Sequence, residues 1–207
     1  MIEQLLASAC RAISGATVEW RCDPHAEGQR IYFGNHTSHL DFVAIWAALP
    51  APVRPHVRPV AGRDYWSRGI VRRYLAADVF RAVLIERGHG GASNGEAAAR
   101  AAIERIASDM GERDSIIVFP EGTRSLDGTV AAFKSGLYHL SQAKPEAELI
   151  PVYLDNLNRI LPKGEALAVP MLSRVTFGAP LRFGANEPKD VFLTRARLSV
   201  LGLRLAS

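Results

Sequence analysis

The stretch Ser115-Ile116-Ile117-Val118-Phe119-Pro120-Glu121-Gly122-Thr123-Arg124-Ser125 passes from an unbroken apolar run straight into a polar turn. A short run of this kind, without alternation, fits a strand covered on both faces, as in a parallel sheet. Elements on either side fit that reading. Upstream, Ser93 to Asp109 is Ala-rich and helical, the loop Gly88 to Gly91 precedes it, and Val79 to Glu86 reads as a strand. Asp64 to Leu75 reads as a helix, and the Pro-rich stretch Pro50 to Pro59 ends a helix over Ser38 to Leu49. Arg30 to Gly34 and Ala16 to Arg21 read as strands, with a turn around Asp23-Pro24. Ile2, Leu5, Leu6, Ala9, Cys10 and Ile13 recur at helical spacing, so residues 1–14 are expected to form an amphipathic helix. Docking on the core is one role for that helix, and lying on a membrane surface is the other. Downstream come a helix over Ser135 to Ala143, strands over Glu148 to Leu154 and Arg174 to Gly178, and a closing helix over Asp190 to Leu205. Strands alternating with helices predict an α/β fold, a layered αβα domain with a mixed, largely parallel central sheet. With no repeat or linker, 1–207 reads as one domain.

Composition bounds the class. The chain has 207 residues, 48% hydrophobic and 22% charged, which excludes a disordered chain, a collagen-like chain and a disulfide-rich miniprotein. The net charge is +4, and 21 of the 25 basic residues are Arg, a side chain suited to bidentate capture of phosphate or carboxylate. Cys10 and Cys22 read as reduced thiols of a cytoplasmic protein, with no secretory leader. The longest nearly apolar run, Phe42 to Val53, has 12 residues and two prolines. A spanning helix needs roughly 20.

In such folds sites form at the carboxyl ends of strands, and two polar clusters stand there. Asn35-His36-Thr37-Ser38-His39-Leu40-Asp41 follows the strand ending at Gly34. If Asp41 folds back under the His36 ring, a carboxylate on Nδ1–H fixes the tautomer and makes Nε2 a general base. Ser38 is expected to cap the helix through the Asp41 N–H. A plain polar helix start and a metal site of His36, His39 and Asp41 are the competing readings. The second cluster is Pro120 to Ser125. Gly122 permits a close turn, and Thr123, Arg124 and Ser125 supply hydroxyls, a guanidinium and backbone N–H groups suited to a phosphate monoester. Lys134, and Arg87 at the end of Val83-Leu84-Ile85-Glu86, add cations.

Together the two clusters resemble the lysophospholipid acyltransferases of the 1-acylglycerol-3-phosphate acyltransferase type. That family's N-H-x-S-x-x-D motif matches Asn35 to Asp41, and its F-P-E-G-T-R-S motif matches every position from Phe119 to Ser125. Lys134-Ser135-Gly136 and Ile150-Pro151-Val152 also look like the family's surroundings, so the resemblance covers residues 30–155. One block departs: Leu84-Ile85-Glu86-Arg87 keeps the family's final Arg, but Arg81 stands where the family has glycine.

The resemblance implies a metal-free acyltransferase. His36, oriented by Asp41, deprotonates the free hydroxyl of a lysophospholipid, most simply 1-acylglycerol-3-phosphate. The oxygen attacks the thioester of acyl-CoA or acyl carrier protein without an acyl-enzyme. Arg124, Gly122 and Thr123 hold the substrate phosphate, with Arg87 as a further candidate. Glu121 orients Arg124 or binds the glycerol, and Asn35, Ser38, Ser125 and Lys134 support the site. A metal-dependent hydrolase on His36, His39 and Asp41 is the alternative. Within the family, another lysolipid such as a lyso-ornithine lipid is the alternative acceptor.

Other patterns are weaker. Gly91-Ala92-Ser93-Asn94-Gly95 fits G-x-S-x-G, but no strand runs into it, and Ser93 with Glu96 makes a capping box. Gly88, Gly90 and Gly91 make no dinucleotide fingerprint, and His56, His89 and His139 show no partner in sequence. Arg54 to Arg87 holds eight Arg against Asp64, Asp78 and Glu86. No nucleic-acid motif accompanies it, so a solvated face or attraction to lipid or donor phosphates remains. A membrane-resident substrate and no span imply peripheral docking on the inner membrane face, through the first helix or this basic stretch.

Overall fold

The computed structural model describes residues 2–38, 40–86, 92–125, 127–157, 173–184 and 186–205. Seven strands form one sheet: β1 (Thr17–Trp20), β2 (Arg30–Gly34), β3 (Val57–Gly62), β4 (Val83–Ile85), β5 (Ser115–Val118), β6 (Glu148–Asp155) and β7 (Arg174–Phe177), in the order β1-β7-β6-β2-β5-β3-β4. β6, β2, β5, β3 and β4 run parallel. β7 is antiparallel to β6 and parallel to β1, so these two strands, at one side of the sheet, run the other way. The helices are α1 (Ile2–Ser14), α2 (Asp41–Ala48), α3 (Arg63–Trp66), α4 (Ile70–Tyr74), α5 (Ala92–Met110), α6 (Gly136–Ala143) and α7 (Lys189–Leu205).

The layers follow from period-two alternation in strands buried on both faces. Tyr32, Ile117, Ile150 and Val152 pack on one side with Phe42, Ile45 and Trp46 of α2 and Ala7 of α1. Ile31, Phe33, Ile116 and Leu149 pack on the other with Ile106 of α5, Leu137 and Leu140 of α6, and Phe192 and Ala196 of α7. The result is the expected three-layer αβα arrangement with a mixed, largely parallel sheet.

Three expectations are corrected. The Pro-rich stretch after α2 holds a strand, β3, with Pro59 inside it. Val57 to Pro59 pair with β5, whereas Val60 to Gly62 pair with β4. Pro59, which has no N–H to give, therefore sits where the strand exchanges one neighbour for the other. The helix expected over Asp64 to Leu75 is broken at Gly69, whose φ of 79° lies in the left-handed region, and a π-turn over Leu75–Val79 follows α4. That turn shortens the expected strand Val79 to Glu86 to β4. No helix among the described residues is long and apolar enough to cross a membrane.

The basic stretch is also divided by the fold. Arg54 is buried, donates through Nε to the Leu49 carbonyl (2.9 Å) at the end of α2, and lies over the Trp46 ring. Arg58 and Arg81 converge on Asp114 at the amino end of the sheet, with Arg81 Nη2 3.0 Å from Asp114 Oδ2. These arginines hold the fold together.

Candidate active site

The carboxyl ends of β2 and β5 are adjacent in the sheet, which brings the two polar clusters side by side. His36 and Asp41 meet as the spacing suggested. Nδ1 of His36 lies 2.8 Å from Asp41 Oδ2, and the same oxygen accepts the N–H groups of Thr37 (2.6 Å) and Ser38 (2.8 Å). The carboxylate is fully buried, while the imidazole keeps 17% of its surface exposed. Three donors on one buried oxygen fix the carboxylate, and the carboxylate in turn fixes the ring, with Nδ1–H as its donor and Nε2 as the ring's acceptor nitrogen. The Phe119 ring stacks on the imidazole at 4.3 Å and 13°. Ser38 is not the cap expected: its hydroxyl accepts the Leu40 N–H (3.2 Å), and the helix starts only at Asp41. The Asp41 carboxylate has taken the loop amides instead.

Glu121 joins the two loops. It is buried, its Oε1 accepts the His36 amide N–H (2.8 Å), and its Oε2 accepts that of Ala131 (2.9 Å). Burial pushes its carboxyl up from the ordinary value, and the two amides partly offset this. Glu121 thus contacts backbone rather than Arg124. Ser125 N–H donates to the His36 carbonyl (2.8 Å), closing the junction from the other side. Asn35 is buried and clamps β2 to β6, donating to the Leu154 carbonyl (2.9 Å) and accepting its N–H (2.8 Å).

A cavity of about 420 Å³ opens beside His36. Its apolar wall comes from both neighbouring layers, with Val60 and Ile85 from the sheet and Ile103, Ile106, Leu137 and Leu140 from α5 and α6. Its polar end carries Gly122, Arg124 and Lys134. Gly122 has φ 71°, and a Cβ there would lie 2.8 Å from Lys134 Nζ, so the lysine head rests directly over the turn. One guanidinium nitrogen of Arg124, Nη1, is buried with no hydrogen-bond partner. A buried, unsatisfied cationic donor on a cavity wall is a place for an anion.

Not every candidate joins this group. Thr123 is exposed and does not line the cavity. The Ser125 hydroxyl donates to Asp127 Oδ1 (2.8 Å); hydrogen bonds from the Thr129 hydroxyl and N–H, and then this one, hold the Asp127 carboxyl down at about 2. Arg87, His39 and His89 lie outside the described residues, as do the side chains of Ser93 and Glu96; α5 begins at Ala92, one residue ahead of the expected cap Ser93, so the helix start does not match that capping box. Arg81 lies away from the cavity, its Nη1 donating to the Pro55 carbonyl (2.9 Å). Its φ is 48°, a left-handed backbone that favours glycine, which accounts for the family's residue at this place without any substrate contact. Two features escaped sequence reasoning, the Phe119 stack and the cavity's aliphatic wall. The first was open to inference once β2 and β5 were taken as neighbours; the second needs residues from four separate elements.

The Acyltransferase family matches residues 17–155, well over half of the chain. The chain belongs to the acyltransferase family. It is 29% identical over 168 residues to the 1-acyl-sn-glycerol-3-phosphate acyltransferase of Limnanthes alba, covering 81% of this chain and 55% of that protein. With the alpha enzyme of that name from Ovis aries it shares 26% identity over 205 residues, covering 97% of this chain and 67% of the other. With the Salmonella typhimurium enzyme of that name it shares 30% over 151 residues, covering 69% and 54%. The chain thus spans little more than half the length of the plant and bacterial relatives. Among solved structures, the 1-acyl-sn-glycerophosphate (LPA) acyltransferase PlsC from Thermotoga maritima superposes with a TM-score of 0.73, over 99% of this chain and 78% of that one. At 19% identity this likeness concerns the fold. This acyltransferase-family chain therefore carries its family's fold, with its two motifs meeting at one cavity.

Proposed function

We propose that this chain transfers a fatty acyl group from an acyl thioester, carried on coenzyme A or acyl carrier protein, to the free hydroxyl of 1-acylglycerol-3-phosphate, a step of phospholipid biosynthesis. The observation that carries the reading is the His36–Asp41 pair at the edge of a cavity lined by aliphatic side chains and by Arg124, whose buried Nη1 has no hydrogen-bond partner. An acyl chain suits the first and a phosphate the second.

In this reading Nε2 of His36 takes the proton from the acceptor hydroxyl as its oxygen bonds to the thioester carbonyl carbon. The Asp41 carboxylate stabilises the imidazolium that forms. The tetrahedral adduct then collapses, the carbon–sulfur bond breaks, and His36 returns the proton to the departing thiolate. Neither Ser nor Cys is among the described residues lining the cavity, in keeping with direct transfer. General base catalysis supplies roughly 10²–10⁴-fold. The rest must come from holding both substrates in place, through the aliphatic wall and through Arg124 and Lys134 on the phosphate. Gly122 lets the backbone approach the headgroup, and Arg87 stays a candidate partner for it. The reaction as written consumes neither metal nor redox cofactor.

The metal-hydrolase alternative is not favoured, because Nδ1 of His36 and Oδ2 of Asp41 are spent on each other and on loop amides. Peripheral docking on the cytoplasmic face of the membrane belongs to the same proposal, since the acceptor resides there. The test crosses acyl-CoA and acyl carrier protein donors with lysophosphatidate, lysophosphatidylcholine and lyso-ornithine lipid, using the full chain in detergent. Formation of phosphatidic acid from lysophosphatidate at the highest kcat/KM is expected. No transfer from any pair, or zinc-dependent release of free fatty acid, would overturn the proposal.

A further inference from the structure

Three exposed, large apolar side chains stand together on one short helix beside the cavity. On α4, Ile70 is 85% exposed, Val71 70% and Tyr74 45%. Ile70 and Tyr74 are four residues apart and Val71 adjoins them, so the three share one face. Exposed Arg68, Arg72 and Arg73 flank them along the chain. Single apolar residues on a surface are ordinary, as with Leu5 on α1 or Val191 and Leu198 two turns apart on α7. Three on one face of a single short helix, with three exposed arginines within the same seven residues, are not.

The other candidate for docking, α1, is committed elsewhere. Ala7 is fully buried, and Leu6 and Cys10 pack against the core that α2 also lines. Of the described arginines of the basic stretch, Arg54, Arg58 and Arg81 hold the fold and Arg63 lies 4.0 Å from Glu86, and the exposed Arg68, Arg72 and Arg73 stand at α4. Position adds a further constraint. Trp66, at the end of α3, lines the substrate cavity and meets Phe42 edge-on at 5.4 Å, while Trp66, Ser67 and Arg73 line an adjoining depression.

We propose that α4 is the membrane-docking element: Ile70, Val71 and Tyr74 enter the headgroup–acyl boundary of a bilayer, and Arg68, Arg72 and Arg73 bind its anionic headgroups. A phenol and aliphatic groups with exposed arginines beside them in the chain match that boundary in polarity and charge. Insertion there sets the cavity at headgroup depth, where a membrane-resident acceptor presents its phosphate and hydroxyl. The choice of a bilayer over a protein partner rests on the acyltransferase reading above.

The experiment is co-sedimentation of the full chain with vesicles of phosphatidylglycerol and phosphatidylcholine, or of phosphatidylcholine alone, at low and high salt. Wild type is expected on the anionic vesicles and to be released by salt. The variant Ile70→Ser/Val71→Ser/Tyr74→Ser should bind at least tenfold more weakly. A second variant, Arg68→Gln/Arg72→Gln/Arg73→Gln, should lose the preference for anionic lipid. Both should keep acyl transfer to a short-chain acceptor in detergent within threefold of wild type, which also reports an intact fold. Vesicle binding unchanged in the serine variant would overturn the proposal, as would a solution dimer that the serine substitutions dissolve. Vesicle binding without any acyl transfer would sink the proposed function and leave docking supported; transfer without vesicle binding would do the reverse.

Discussion

Asp41→Asn separates the electrostatic role of the carboxylate from its structural one. An amide oxygen in place of Oδ2 can still accept from His36 Nδ1, Thr37 N–H and Ser38 N–H, so the loop has a way to stay closed. Each of those bonds becomes neutral rather than charge-assisted, a loss of about 1 kcal/mol apiece. Relief from burying a charge offsets part of this, so a net destabilisation of about 1–3 kcal/mol is expected. Catalysis should suffer more. An imidazolium and a carboxylate whose charges are roughly 4 Å apart attract by about 4 kcal/mol at an effective dielectric near 20. Asparagine gives the imidazolium no such partner. At about 1.4 kcal/mol per tenfold, kcat should fall by about 10³, with the KM for both substrates little changed. The assay is acyl transfer to lysophosphatidate in detergent, with thermal denaturation to confirm folding. A folded Asp41→Asn protein with kcat within tenfold of wild type would refute the reasoning.

Arg124→Ala should raise the KM for lysophosphatidate by about 10–100-fold, the worth of a charge-assisted pair of about 1.5–3 kcal/mol, and leave the donor KM within threefold; equal effects on both would contradict a phosphate role. Glu121→Gln keeps one acceptor for the amides of His36 and Ala131 and should cost about 1–3 kcal/mol, whereas Glu121→Ala leaves both bare and should cost about twice that. Denaturant unfolding reads the difference, and two wild-type-like variants would show that the clamp is idle. Arg81→Gly should be more stable than Arg81→Ala by about 1 kcal/mol, because both lose the Asp114 and Pro55 contacts but only glycine adopts φ 48° without strain. The opposite order by thermal melts would refute that account.

Much of the frame was legible because its signals were local. β2 begins and ends as its apolar run suggested, and β5 follows from Ile116 to Val118. The His36–Asp41 pair was legible because five residues suffice for the chain to fold back on itself. β3 was hidden because a proline inside a strand argues against it, unless the ladder changes sides at that residue. The break at Gly69 was hidden within an otherwise helical pattern. The role of Glu121 could not be read, since its partners are main-chain amides of residues 36 and 131, far away in sequence. For the same reason composition overstated the basic face: Arg54 and Arg81 are spent on carbonyls and on Asp114, and only the fold shows it.

The central claim is that His36 is the base for transfer of an acyl group to a lysophospholipid hydroxyl. The most direct measurement follows phosphatidic acid formed from lysophosphatidate and an acyl thioester, comparing wild type with His36→Ala at matched folded concentration. Steady product formation by wild type and a fall of at least 10² in the variant are expected, with the variant still folded though less stable by about 1–3 kcal/mol for the lost bond to Asp41. Product formation by folded His36→Ala at near the wild-type rate would contradict the claim.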